Sequence, residues 1–245
     1  MQLIFIRHGE PNYEIDSLTE AGWREARLLA ARIVREKWPV TDIFCSPLGR
    51  AQATAQPTLE ALGRSAETMP WLREFGCGEF VPPDGNKDTK GVPWDFFPSY
   101  WTADPRFGDR EHWMETPAMQ MQPERIEARF AEVTDGIDGV LARYGYVREK
   151  CCYRVAADAK RDAVLVFFCH LGLTGAVCGH LLNIAPPLLW HSFFMPASSL
   201  AILNTEERQE GVAAFRCQVM GDTAHLLGAR EPVSPMGAFG PVFQG

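Results

Sequence analysis

Gln2-Leu3-Ile4-Phe5-Ile6-Arg7-His8-Gly9-Glu10 is the stretch on which the reading of this chain turns. Gln2 to Ile6 is a short continuous apolar run, the pattern of a strand covered on both faces. Four residues suited to phosphate chemistry follow it at once. His8 is a candidate nucleophile, because neutral imidazole attacks phosphorus well and the phosphoramidate it forms is readily hydrolysed. Arg7 offers a planar fork matched to phosphate oxygens, and Gly9 leaves room for a ligand to approach. Taken alone, the same four residues also describe a solvent-facing Arg-His pair at a strand end, so the rest of the chain has to decide.

Downstream, Asp16-Ser17-Leu18-Thr19 supplies turn and N-cap residues for a helix over roughly 20–37. Trp23, Ala26, Ala30, Ile33 and Val34 share one face of it, and Pro39 ends it. Asp42 to Cys45 is a second short strand. Ser46-Pro47 then gives an N-cap with proline at the first helical position, which predicts a helix over 47–62. Periodicity is lost from Phe80 to Gln122, a stretch with six prolines and many aromatics that reads as a functional or covering insertion. It returns at Ile126, Phe130, Val133, Ile137, Val140, Leu141 and Tyr144, a helix stripe. Ala163 to Phe168 is the clearest buried strand, and a helix follows with Leu173, Ala176, Val177 and Leu181 inward. Ser199 to Leu203 and Val212 to Val219 are two further strands joined by polar residues, and the Gly/Pro-rich end, 229–245, is irregular. Alternating strands and helices predict one α/β domain over 1–245: a three-layer sandwich with a mostly parallel central sheet and helices on both faces. Ligands of such sheets sit beyond the carboxyl ends of the strands.

Composition narrows the function. A length of 245 residues, 46% hydrophobic and 22% charged, suffices for a sizeable core without disulfides or a structural metal. The net charge of -7 argues against a nucleic-acid surface and requires any phosphate site to be a local basic pocket. The seven cysteines form no C-x-x-C pair and have no histidine cluster beside them, which points away from a disulfide framework or a zinc site. No apolar run approaches a bilayer span and the first residues lack the basic flank of a signal peptide, so a cytoplasmic protein without a membrane partner is expected.

Arg7-His8-Gly9-Glu10 on a first strand resembles the signature of the histidine phosphatase superfamily, the phosphoglycerate-mutase-like proteins. Five further segments resemble that family in order. Leu18-Thr19-Glu20-Ala21-Gly22 is similar to its approach to the first helix. Ser46-Pro47-Leu48-Gly49-Arg50 is similar to its second phosphate-binding motif. Leu72-Arg73-Glu74 is similar to the segment carrying the general acid, and Cys169-His170 to the one carrying the second histidine. Asp222-Thr223-Ala224-His225-Leu226 is similar to its closing motif. The resemblance implies a phosphoryl-transfer enzyme with no cofactor and no metal. Its nucleophile would be His8 and its general acid Glu74, with phosphate held by Arg7, Arg50 and His170. Such chemistry needs positive charge around the equatorial oxygens and an in-line nucleophile. Glu79 is the alternative acid. His112, His180, His191 and His225 take structural roles.

Two departures bear on the activity. Glu14 stands where mutases of the family carry an asparagine, and Leu171 interrupts the glycines that usually follow the second histidine. A mutase must hold its phosphorylated product away from water, so hydrolysis of a small phosphate monoester is expected ahead of mutase transfer or of phosphate binding without turnover. A homodimer is compatible with the sequence. The insertion is expected to select the substrate. Trp94, Phe97, Tyr100, Trp101 and Trp113 would supply a wall; Lys87, Lys90, Arg106 and Arg110 would bind a second anionic group. The competing reading is that these aromatics simply pack the insertion onto the core. Glu14, Trp94 and Trp101 are the candidate substrate-pocket residues.

Overall fold

The computed structural model describes residues 1–76, 83–85, 92–122 and 125–244. In chain order the elements are β1 (Gln2–Arg7), two-residue strands β2 (Pro11–Asn12) and β3 (Ser17–Leu18), α1 (Glu20–Arg35), β4 (Asp42–Cys45), α2 (Gly49–Leu62) and β5 (Glu67–Thr68). After these come α3 (Pro98–Trp101), α4 (Pro117–Gln120), α5 (Ile126–Ala142), β6 (Tyr146–Glu149), β7 (Cys152–Val155) and β8 (Val164–Cys169). The chain closes with α6 (Leu171–Leu182), α7 (Pro186–Ser192), β9 (Leu200–Gln209), β10 (Val212–Asp222) and α8 (Ala224–Leu227).

Among the described residues eight strands form one sheet in the order β5-β4-β8-β1-β9-β10-β7-β6. The parallel character expected from the alternation holds for the half β5-β4-β8-β1. The other half is antiparallel, so the sheet is mixed. The reason is local: β9 and β10 run through the polar segment read as a connection and turn only at Glu210-Gly211, where Gly211 adopts a φ of 73°. Their outer ends alternate solvent-facing polar residues, as an antiparallel sheet with one wet face allows. The hairpin β6–β7 and helix α7 were not foreseen, the former because its strands are only four residues long.

Pleating splits the strand residues between two cores. Leu3 and Phe5 of β1, with Phe44, Leu165 and Phe167, face α5 and α6; Phe5 and Phe167 stack at 4.8 Å. Ile4 and Ile6, with Ile43, Val166 and Phe168, face Leu29 and Ile33 of α1 and Ala51 and Ala55 of α2. The expected three layers follow directly from this alternation. α1 ends at Arg35, short of Pro39, because Lys37 turns left-handed at φ 53°. Val34 is 46% exposed, whereas Leu29 and Glu25 are buried. The stripe on α5 is inward as read, although Phe130 is only partly covered. Described aromatics of the insertion, Phe96, Phe107 and Trp113, belong to the same core as α5 and α6.

Candidate active site

The carboxyl ends of β1, β4 and β8 meet at the middle of the parallel half, and the polar residues after each converge there. β1 delivers Arg7 and, one residue on, His8. Their backbone is fixed from both sides: the His8 N–H donates to the Cys169 carbonyl (3.0 Å), and the His8 carbonyl accepts from the Ser198 N–H (3.0 Å). β8 delivers His170, whose ring centroid lies 5.2 Å from that of His8. β4 delivers Ser46, whose hydroxyl is 2.7 Å from His170 Nε2. Arg7, His8 and His170 are all buried, at 4%, 2% and 0% exposure.

Hydrogen bonds fix the imidazoles. His8 Nδ1 is 2.8 Å from the Gly9 carbonyl, an oxygen that can only accept, so the proton sits on Nδ1 and Nε2 keeps its lone pair. The Ser46 hydroxyl also accepts from the Leu48 N–H at 3.2 Å, and we assign its own proton to His170 Nε2. His170 Nδ1 then carries a hydrogen with no partner among the described residues. Burial holds both rings well below their ordinary pKa, and the arginines reinforce the shift. For His8 the next cause is Arg7, opposed by the Gly9 carbonyl and aided by Arg50. For His170 they are His8, Arg50 and Arg7. Two neutral imidazoles therefore stand beside two guanidinium groups, one with a lone pair and one with an N–H to offer.

Arg7 donates through Nη1 to the Met195 carbonyl (2.6 Å) and through Nη2 to the Met236 carbonyl of the C-terminal segment (3.1 Å). Arg50, in the first turn of α2, donates to Asp16 Oδ1 at 2.7 Å and lies 5.5 Å from the centroid of the Tyr13 ring. Asp16 Oδ2 also accepts from the Gly49 N–H (2.7 Å), which explains why α2 begins at Gly49 and not at Pro47. Ser46, read as the cap of that helix, holds the Leu48 N–H ahead of the helix and also bonds His170. Thr54 on α2 accepts from the Gly9 N–H (2.9 Å) and ties Arg50's helix to the His8 loop. Glu74 lies against the start of α6, where its Oε1 accepts from the Leu173 N–H (2.9 Å) and from the Phe75 N–H (2.8 Å).

The remaining expectations divide. Gly9 is small for a different reason from the one read: a Cβ there would lie 2.9 Å from the Gly22 carbonyl and 3.2 Å from the Glu25 carboxylate, so it admits α1. Glu14 is exposed on the β2–β3 loop, and Asp16 occupies the place beside Arg50. Glu79, Lys87 and Lys90 lie outside the described residues. Arg106 and Arg110 pair with Asp104 and Glu111. His112 and His180 pair with Asp109 and Asp138. Trp94 covers the first turn of α6: a Cβ on Gly172 would meet its ring at 2.2 Å. Trp101 stacks on His191 at 5.0 Å.

Three supporting groups make contacts that the sequence reading did not specify. Glu25 of α1 accepts from the Glu10 N–H (2.8 Å), and burial pushes its carboxyl up to about 7. Glu10 receives the hydroxyls of Thr19 (2.8 Å) and Ser234 (2.6 Å). His225 bonds the Ser198 hydroxyl (2.9 Å), and Ser198 in turn holds the His8 carbonyl. Glu10 had a signal in the Arg7-His8-Gly9-Glu10 signature and His225 in the closing motif, where a structural role was expected; Glu25 had none. Among the described residues no group of three or more His, Cys, Asp or Glu stands together as a metal site, and no helix is long and apolar enough to cross a membrane.

The model of the histidine phosphatase superfamily (branch 1) matches residues 3–218. A probable phosphoglycerate mutase, GpmB of Yersinia pestis (strain Pestoides F), is 38% identical over 87 residues; the match spans 32% of this chain and 40% of that protein. The chain thus covers less than half the length of the curated relatives it matches. Among solved structures, a mutant phosphoserine phosphatase of Entamoeba histolytica, in complex with phosphoserine, superposes with a TM-score of 0.57 at 17% identity, covering 92% of this chain and 98% of that one. A mycobacterial glucosyl-3-phosphoglycerate phosphatase gives 0.58 at 21%, covering 90% and 98%. Both likenesses concern the fold.

Proposed function

Starting from the fact that this chain belongs to the histidine phosphatase superfamily, we propose that it hydrolyses a small phosphate monoester through a phosphohistidine on His8. The observation that carries the reading is the Nδ1–H bond to the Gly9 carbonyl, which leaves Nε2 of a buried, neutral imidazole as the attacking atom.

In the first step Nε2 bonds to phosphorus and the bond from phosphorus to the ester oxygen breaks. Arg7, Arg50 and the Nδ1–H of His170 surround the equatorial oxygens as charge spreads onto them. Glu74 gives a proton to the departing oxygen. Its Oε1 is anchored by two amides, and its other oxygen does this work. In the second step Glu74 takes a proton from water, the water oxygen attacks the phosphohistidine, and the nitrogen–phosphorus bond breaks. Orthophosphate leaves and His8 returns to its neutral tautomer.

Mutase transfer is the second reading. The GpmB match favours it, and Glu14, exposed where mutases of the family carry an asparagine, gives it no support. Six described cysteines are free thiols, which supports a cytoplasmic setting for the enzyme. The test is orthophosphate release from an aryl phosphate in excess chelator, parent against His8→Ala. We expect turnover in the parent and a loss of at least a thousandfold in the variant. Turnover that persists in His8→Ala would refute the phosphohistidine route.

A further inference from the structure

A cavity of about 780 Å³ opens beside the histidines, walled by Trp94, Phe97, Trp101, Trp190, His191 and Phe193 and closed by residues 237–243 of the C-terminal segment. It adjoins the reaction centre at two points. Leu171, directly after His170, lies in its wall, and so does Gly237, where an added Cβ would lie 3.3 Å from Arg7 Nη2. Trp94 links it to Glu74. The Trp94 ring lies over Gly172, and both it and Glu74 Cγ come within 4.0 Å of a Cβ built on Gly76. Glu74 and Trp94 thus flank the same glycine, so the wall of the cavity begins beside the group that would protonate the leaving oxygen.

The wall is chemically one-sided. Rings dominate it, its acidic member is Asp95, and among the described residues that line it there is no lysine or arginine. One polar atom stands out. His191 Nδ1 is bonded to the Pro187 carbonyl (2.8 Å), so Nε2 is an acceptor, and it is buried with no partner among the described residues. Its ring is stacked on Trp101 and on Phe96. Such a surface suits an uncharged apolar group with at most one hydrogen-bond donor; a carboxylate or second phosphate would lose its hydration without a counter-charge.

Resting on the phosphatase reading above, we propose that the substrate is the phosphate monoester of an uncharged, predominantly apolar alcohol, whose body fills this cavity, and not a carboxylated or doubly phosphorylated ester. Phe97, 45% exposed at the mouth, is a specificity-determining residue.

Benzyl phosphate and O-phosphoserine test this, because both release a primary alcohol and differ in what that alcohol carries. Orthophosphate release is measured with each. A kcat/KM at least tenfold higher for benzyl phosphate is expected, falling about tenfold in ratio in Phe97→Arg as phosphoserine improves. A gain for phosphoserine cannot come from misfolding. Equal or greater use of phosphoserine by the parent, or a ratio unmoved in Phe97→Arg, would overturn the inference while leaving the phosphatase reading intact. Should neither ester be hydrolysed, aryl phosphate turnover still decides the phosphatase reading, and binding to His8→Ala by tryptophan quenching decides the cavity alone. Benzyl phosphate at least tenfold tighter than phosphoserine upholds the apolar subsite, and equal or weaker binding removes it.

Discussion

Glu25 shows how one buried carboxyl can govern the residues around a nucleophile. It is 1% exposed, and it holds the Glu10 amide just after the His8 loop. Burial raises its pKa to about 7; Glu10 and Glu231 push the same way, while Arg7 and the Glu10 amide oppose them. A carboxyl whose folded value exceeds its unfolded value stabilises the fold fully while both states are protonated. That contribution is lost as pH rises through the folded value. The window runs from 4.5, the ordinary value, to about 7, and the loss across it is on the order of 3 kcal/mol. Glu25→Gln keeps an accepting oxygen without the charge. We therefore expect it to exceed the parent in stability by about 2–3 kcal/mol at pH 8, with the difference nearly gone at pH 4.5. Urea midpoints at the two pH values read this directly, and a difference that does not change with pH would contradict it. Nothing in the local sequence announced this residue. Glu25 sits among apolar positions of an amphipathic helix and is indistinguishable there from a solvated glutamate.

At the level of elements, the sequence was most informative where a strand ends in a polar residue. The ends of β1 and β8 placed His8 and His170 correctly, because a continuous apolar run followed by a charged or imidazole group leaves little choice of location. Helix starts were less legible. Ser46-Pro47 has the form of a cap, yet the competing partner, His170, lies 124 residues away in sequence and takes the hydroxyl. The start of α2 passes instead to Asp16. α6 begins under Trp94 and offers a test at this scale. Gly172→Ala gains roughly 1 kcal/mol of helix propensity. The added methyl meets an indole at 2.2 Å, however, and overpacking of that kind costs about 1–3 kcal/mol. Repulsion wins, so thermal denaturation is expected to show a lowered midpoint. Displacing Trp94 should also blue- or red-shift the tryptophan emission, which an unstrained substitution would leave in place.

The whole molecule depends on residues far apart in the chain meeting over one arginine. Arg7 spends one nitrogen on Met195 and another on Met236, and the segment bearing Met236 is pinned by the Ser234 hydroxyl on Glu10. The sequence marked residues 229–245 only as irregular, since a Gly/Pro-rich stretch carries no periodicity from which its docking could be read. Hydrogen bonds to a charged group contribute about 1.5–3 kcal/mol. Ser234→Ala is thus expected to loosen the segment and lower the inhibition constant of orthophosphate at least several-fold, measured against any turned-over ester. An unchanged constant would mean that the segment does not contend for Arg7.

That contention changes what affinity means for this protein. On the reading proposed here, the carbonyl of Met236 rests on a donor that the incoming phosphate needs, so the chain is its own weak competitive inhibitor. Measured affinity is then intrinsic affinity multiplied by the fraction of molecules in which the Met236 carbonyl has let go of Arg7. Selection could retune substrate uptake through residues near 234–237 alone, leaving every group that touches phosphorus as it is.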